Sequence, residues 1–511
     1  MTAYVLVPGA FTGGWVWDRV AARLRETGAE AYPVTLTGMG ERRDGPTGAA
    51  DGAGPGTGLE THVEDLLRLI DGIAARRVVL VGHGYGLHPV LGAADRRPGR
   101  VARIVSVDTG LPGDGEAAAR SVPDPEVRAR LADGAGDGGW ISPPRPGTWS
   151  RWGSTEDVPA GALERLERLA APQPAGTLTQ PLRLAGPAAR LPVTGVLCAG
   201  NGSGIDLVEM LVESGPPQFR ALADDRMRFF ELGTGHWPML SAPDELAEVL
   251  RAATAGEGHR VTPPEDAPGH ERPTHLLPFL LDVPEVPRER HGRVDLHLPD
   301  ADRPRPAVVF VHGGPVAPDQ RPTPRDTPFL LGHGRHAAGL GVVGVTLDHR
   351  LHGLADHARA AEDLAEAVAL VRAHPRVDGE RIALWFFSTG GLLMADWLAA
   401  PPPWLRCLAA SYPALAPLPG WAGVEPRFRP VDAVGTADGP PVVLTRAGRE
   451  HPAFAATVEE FLTAAGEKGA AVEIVDVPHG RHGFELVDPT DESRAAVERA
   501  MRSVLAHLRG T

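Results

Sequence analysis

Lysine is nearly missing from this chain of 511 residues: Lys468 stands alone, and arginine supplies the other basic side chains. Pyridoxal, Schiff-base and P-loop chemistry each need a lysine amine, so none is expected unless Lys468 carries it. Positive charge is short overall, because 51 Lys and Arg face 65 Asp and Glu for a formal net charge of −14. That balance repels polyphosphate and no dense basic block offsets it locally, so nucleic acid is not an expected partner. Cysteine is scarce too. Cys198 and Cys407 lie in different halves and read as reduced, half-buried thiols rather than a disulfide or metal pair. No apolar run reaches the ~18 residues of a membrane helix, and Met1-Thr2-Ala3-Tyr4 opens without a basic leader or signal core, so the chain is expected to be cytoplasmic and off the membrane. No cofactor or metal is expected, the expected partner is a small-molecule substrate, and the oligomeric state is unassigned.

What is present is a globular composition, 42% hydrophobic and 23% charged, in a chain longer than the ~250–300 residues over which one core grows. Two α/β domains follow from a pattern of strands alternating with amphipathic helices that occurs twice, each domain a mostly parallel sheet covered on both faces. In the first half, Tyr4–Val7, Val78–Val81, Ile104–Val107, Val193–Cys198 and Phe229–Leu232 read as strands. Helices are expected from about Trp15 to Arg25 and through Val63, Leu66, Leu67 and Ile70. Strand periodicity is lost between Gly113 and Gly186, which suggests an inserted cap. From 255 to 275 the chain becomes rich in Gly, Pro, Glu and His, so a linker is expected there, dividing a domain at 1–254 from one at 276–511. The second half restarts with strands at Val308–Val311, Val342–Leu347, Ile382–Phe387, Val442–Thr445 and Val472–Val475, and with a helix presenting Leu364, Val368 and Val371.

A serine nucleophile needs a base, a carboxylate that orients the base, and backbone N–H groups aimed at the oxyanion. In an α/β sheet these come from loops after strands, in the order oxyanion loop, serine, acid, histidine. The second half carries that order. His312-Gly313-Gly314-Pro315 follows a strand and fits an oxyanion loop, with Gly313, Gly314 and Thr389 as candidate donors. Phe386-Phe387-Ser388-Thr389-Gly390-Gly391 sets Ser388 between a strand and a helix beginning near Leu392, where a serine is either a nucleophile or a plain N-cap. Glu450 is the candidate acid, against Glu459 and Glu460, and His482 the candidate base, against His479. Through His312–Pro315, Ser388–Gly391 and His482-Gly483-Phe484, residues 276 to 511 resemble dienelactone-hydrolase-like and esterase-like α/β hydrolases. The resemblance implies a Ser388–Glu450–His482 triad. One departure is notable: that family has glycine two positions before the serine, where this chain has Phe386.

In the first half, Gly82-His83-Gly84-Tyr85-Gly86 has the form of a nucleophile elbow without the nucleophile. With Pro8-Gly9-Ala10, Thr35 to Arg42 and Gly235-His236-Trp237-Pro238-Met239, residues 1 to 253 resemble the plant-type esterase and hydroxynitrile-lyase branch of α/β hydrolases. Carried over by position, this resemblance puts the missing nucleophile at Gly84 and the base at His236. The branch's usual acid position falls near Asn201 and Asp206, and Asp108, at a strand end, is the preferred alternative.

The leading functional expectation is therefore acyl transfer to water on an ester, lactone or similar carbonyl by the second half, with a degenerate or substrate-shaping first half. A second expectation keeps the fold but replaces hydrolysis with cyclisation or carbon–carbon bond formation on a natural-product intermediate. A third is an inert binding protein.

Overall fold

The computed structural model describes residues 2–42, 56–122, 127–128, 131, 139–214, 217–262, 274–418, 421, 424–436 and 439–510. They form two compact units, one of 1–209 with 222–262 and the other of 210–221 with 263–511. Part of the linker expected at 255–275 lies outside the described residues. The described part stays with the first sheet as far as His259, which bridges Phe229.

The first unit is built on strands β1 (Ala3–Val7), β2 (Glu30–Pro33), β3 (Val78–His83), β4 (Val101–Val107), β7 (Val193–Cys198) and β8 (Met227–Leu232). All are parallel, in the order β2-β1-β3-β4-β7-β8. β1 and β3 are continuous apolar runs because helices cover both faces of a parallel sheet, leaving no solvent side on which polar residues would alternate. The first expected helix begins one residue earlier, as a 3-10 turn at Gly14–Trp17 that leads into the α-helix Asp18–Glu26. Between Gly113 and Gly186 lie the short antiparallel pair β5 (Trp140–Ile141) and β6 (Gln173–Pro174) and the helix Ala160–Leu169. Part of that insert is also outside the described residues.

The second unit has a mixed sheet, ordered β16-β15-β14-β13-β11-β12-β10-β9. Its strands are β9 (Arg288–His291), β10 (Val294–His297), β11 (Arg305–Val311), β12 (Val343–Leu347), β13 (Val377–Phe387), β14 (Leu405–Ser411), β15 (Val442–Arg449) and β16 (Val472–Arg481). β11 to β16 pair in parallel, while β10 is antiparallel to both β12 and β9. Two cores flank the sheet, and β13 feeds both by its two-residue period: Leu384 and Phe386 enter one core, Trp385 and Phe387 the other. The buried indole of Trp385 donates to Ser411 Oγ on β14 at 3.0 Å, so its N–H is satisfied. Cys198 and Cys407 are free, and both are fully buried rather than half-buried, because each lies on an interior strand, β7 and β14. Among the described residues no helix is long and apolar enough to cross a membrane.

The helix Pro328–Gly339 crosses β12 where two glycines meet, since a methyl on Gly344 would overlap the carbonyl oxygen of Gly334. Neither backbone can retreat without opening the core. Gly344→Ala is therefore expected to destabilise the second unit by about 1–3 kcal/mol, read as a lower urea midpoint with the slope unchanged.

Candidate functional site

In the second unit the buried strand β13 ends at Phe387 and the next residue, Ser388, has φ +52°. A non-glycine residue in the left-handed region is strained by ~1–3 kcal/mol, and the sharp turn lifts its side chain out of the sheet's end. Bare backbone makes the turn possible. A Cβ on Gly313 would lie 2.9 Å from Ser388 Cβ, one on Gly390 2.5 Å from His312 O, and one on Gly391 2.6 Å from Ala414 O. Phe386 does not prevent the turn: its ring is fully buried in the core. Six residues of 3-10 helix, Ser388–Leu393, lead the chain away before the α-helix Met394–Ala399 begins, close to the expected start near Leu392.

Ser388 Oγ donates to His482 Nε2 at 2.8 Å, and His482 Nδ1 donates to Glu450 at 2.9 and 3.0 Å. That pattern fixes the neutral imidazole with its proton on Nδ1 and its lone pair toward the serine. The two partners are buried, with side chains 8% and 5% exposed, and a backbone N–H from His451 steadies Glu450 Oε1 at 2.8 Å. Tyr412 and Phe454 hold the imidazole edge-on, with ring centroids 5.1 and 4.7 Å away. The rival residues lie elsewhere. His479 is largely exposed beside Glu492, Glu459 pairs with Arg446, and Glu460 with Arg429.

One candidate oxyanion donor needs correction. The Gly314 N–H donates to Thr389 Oγ1 at 2.7 Å while that hydroxyl donates back to Gly314 O at 2.8 Å, so this amide is engaged in holding the loop. Of the candidate donors, Gly313, packed against the serine, and Thr389, in the first turn of the helix, remain. Sequence reading also missed His349, whose Nε2 donates to His312 O at 2.9 Å and whose ring stacks on His312 at 3.6 Å. Its only local signal was its position just after β12.

The first unit repeats this geometry without the hydroxyl. Gly84 follows β3 with φ +48°, a Cβ on Gly82 would lie 2.7 Å from Leu87 Cα, and one on Gly86 2.5 Å from Pro8 O. His236 Nδ1 lies 2.7 Å from Asp108 Oδ2, and Asp108 also accepts from Asn201 Nδ2 at 2.7 Å and Cys198 N at 3.2 Å. Asp108 is thus the carboxylate on His236, Asn201 is its clamp, and Asp206 is exposed on the first turn of a helix. Burial raises the Asp108 carboxyl, but the hydrogen bonds from His236 and Asn201 and the nearby imidazoles outweigh it and hold the group below its ordinary value. A Cβ on Gly84 would meet His236 Nε2 at 3.9 Å and Gly9 Cα at 4.0 Å, which is ordinary contact. Space for a serine therefore survives.

His83 lies under this site with its Nε2 donating to His236 O at 2.9 Å. Burial, reinforced by the neighbouring His236, pushes it down to about 3, and burial pushes His62 down to about 4, from an ordinary 6.5. The unfolded chain then binds more protons than the folded one below pH 6.5. The stabilisation is complete above that value and is lost as pH falls, by about 1.4 kcal/mol per pH unit for each such histidine. Urea unfolding of the first unit is expected to show a clearly lower midpoint at pH 5 than at pH 7, a range that still lies above most carboxylate titrations; equal midpoints would contradict it.

Comparison with known proteins bears on the first unit. The Alpha/beta hydrolase family matches residues 4–249. A carbendazim hydrolyzing esterase of Nocardioides sp. (strain SG-4G) is 30% identical over 267 residues, covering 49% of this chain and 99% of that protein. Esterase PIR7B of Oryza sativa subsp. japonica is 35% identical over 136 residues, covering 25% of this chain and 46% of its own length. Among solved structures, an extracellular alpha/beta-hydrolase from a Paenibacillus species aligns with 20% identity and a TM-score of 0.39, over 50% of this chain and 99% of that one. Through its first half, the chain belongs to the alpha/beta hydrolase family.

Proposed function

We propose that the protein is a serine esterase whose chemistry resides in the second unit, a further α/β-hydrolase-type domain acting on an ester, lactone or related acyl substrate. The observation that carries this reading is the unbroken relay from Ser388 through His482 to Glu450, set on a strained turn at the end of a central parallel strand. Ser388 Oγ attacks the carbonyl carbon as its proton passes to His482 Nε2. Glu450 stabilises the imidazolium formed, and the backbone N–H groups of Gly313 and Thr389 receive the developing oxyanion. The imidazolium then protonates the leaving alcohol. Water, deprotonated by the same histidine, releases the acid and restores the serine.

A second reading concerns the first unit and rests on the intact Asp108–His236 pair below Gly84. A base with an orienting carboxylate but no nucleophile can still remove a proton from a bound substrate, which is the first step of a cyclisation or a carbon–carbon bond formation. The esterase names of its relatives favour hydrolytic ancestry, and Gly84 removes the covalent step.

A fluorophosphonate probe is expected to label the native protein at Ser388. Ser388→Ala should abolish labelling, and Ser388→Ala, His482→Ala or Glu450→Gln should lower kcat on a p-nitrophenyl ester by about 10³–10⁴-fold. Labelling that persists in Ser388→Ala overturns the assignment. In the Ser388→Ala background, Gly84→Ser is expected to restore probe labelling, now at residue 84, because a hydroxyl there falls within hydrogen-bond reach of His236 Nε2. A double variant that folds but stays unlabelled would show that the first-unit pair has lost its competence as a base.

A further inference from the structure

The edge of the second sheet carries a side-chain cluster that the reaction above does not use. Strand β9 alternates in the ordinary way: Arg288 and Arg290 turn to one face, where both pair with Asp295 and Asp326. Glu289 and His291 turn to the other. There they meet His374, which ends the helix His357–Ala373. Glu289 Oε2 lies 3.1 Å from His374 Nε2 and 3.5 Å from His291 Nε2, and the donor atoms of the three residues all lie within 4.8 Å of one another. The imidazoles stand edge to face with centroids 5.6 Å apart, so both ring edges are available to one centre.

A tetrahedral ion bonded to nitrogen and oxygen at about 2.0–2.1 Å sets its ligand atoms about 3.3–3.4 Å apart. The two carboxylate–imidazole separations bracket that spacing. From this geometry we propose that Glu289, His291 and His374 form a binding site for a single zinc-class divalent cation. Two imidazoles and one carboxylate suit such an ion, whereas magnesium and calcium take oxygen ligands in larger number. Three protein ligands leave a fourth position for water. The side chain of His374 is 10% exposed while those of Glu289 and His291 are 45% and 41% exposed, so one ligand is anchored and the ion enters from the solvent side.

Binding at His374 Nε2 moves the ring proton to Nδ1, and the 3.3 Å contact from Arg376 N to Nδ1 gives way to a protonated Nδ1. The site is remote from the serine. His374 precedes β13 and Ser388 follows it; Val377 and Phe386 of that strand pair with Arg305 and Val311, six residues apart on β11, so at about 3.3 Å per residue roughly 20 Å of sheet separates the two. The role that fits is mechanical: the ion ties the outermost strand to the helix beside it and closes an open sheet edge.

The test uses the full chain stripped with EDTA and titrated with zinc chloride, followed by calorimetry and thermal unfolding. Wild type is expected to bind one equivalent more than His291→Ala or His374→Ala, and to show a zinc-dependent rise in midpoint that both variants lack. Glu289→Gln should weaken that site at least tenfold. His291 is exposed on an edge strand, so its variant folds normally, which circular dichroism verifies. Equal stoichiometry and midpoint shift in wild type and His291→Ala would overturn the proposal, and so would a magnesium response equal to that of zinc. Ester turnover is not among the readouts, so failure of the esterase reading leaves this test intact.

Discussion

The structure turns on one backbone torsion: the residue that leaves a central, doubly buried strand must enter the left-handed region. Gly84 does so without strain, and Ser388 does so at φ +52°, a conformation that persists only where the surroundings over-determine it. They do so here because β13 is locked between two cores and because Gly313, Gly390 and Gly391 let neighbouring backbone close to within distances that a side chain would forbid. Once that turn is made, the hydroxyl has little choice of direction.

The two units divide the family likeness from the serine–histidine–glutamate hydrogen bonds. Family membership attaches to residues 4–249, in which the residue at the turn after β3 is Gly84, while the hydrogen bonds joining Ser388, His482 and Glu450 stand in the unit that the family match does not reach. There is no contradiction in this. A family likeness is carried by packing positions spread over a whole domain, whereas acyl transfer depends on a handful of side chains at one end of the sheet. The first unit has kept that likeness, and also its Asp108–His236 pair, its clamp at Asn201 and its elbow glycines.

Phe386 illustrates how two solutions serve the same turn. In the first unit Gly82 is required because Leu87 backbone presses on it, three residues after the elbow. In the second, Phe386 packs into the core and the longer 3-10 segment carries the following backbone onward, with glycines at 390 and 391. Glycine two positions before the turn residue is one way of making room, and a slower entry into the helix is another.

Some of this was legible in the residues alone. Strands buried on both faces must be continuous apolar runs, so β1, β3, β11 and the end of β13 announce themselves, and the placement of Ser388, Glu450 and His482 just after β13, β15 and β16 follows from parallel topology. Strand β9 did not announce itself, because all four residues of Arg288–His291 are exposed and no hydrophobic period marks an edge, and β10 offers only four residues, Val294–His297, too short a run to stand out. The capture of the Gly314 amide by Thr389, the clamp of Asn201 on Asp108, and the meeting of Glu289 and His291 with His374 join residues 75, 93 and 85 positions apart. Local pattern determines which backbone can turn and which face is apolar. Only the closed fold decides which distant polar atoms share a hydrogen bond, because that choice is made by three-dimensional proximity and not by any period along the chain.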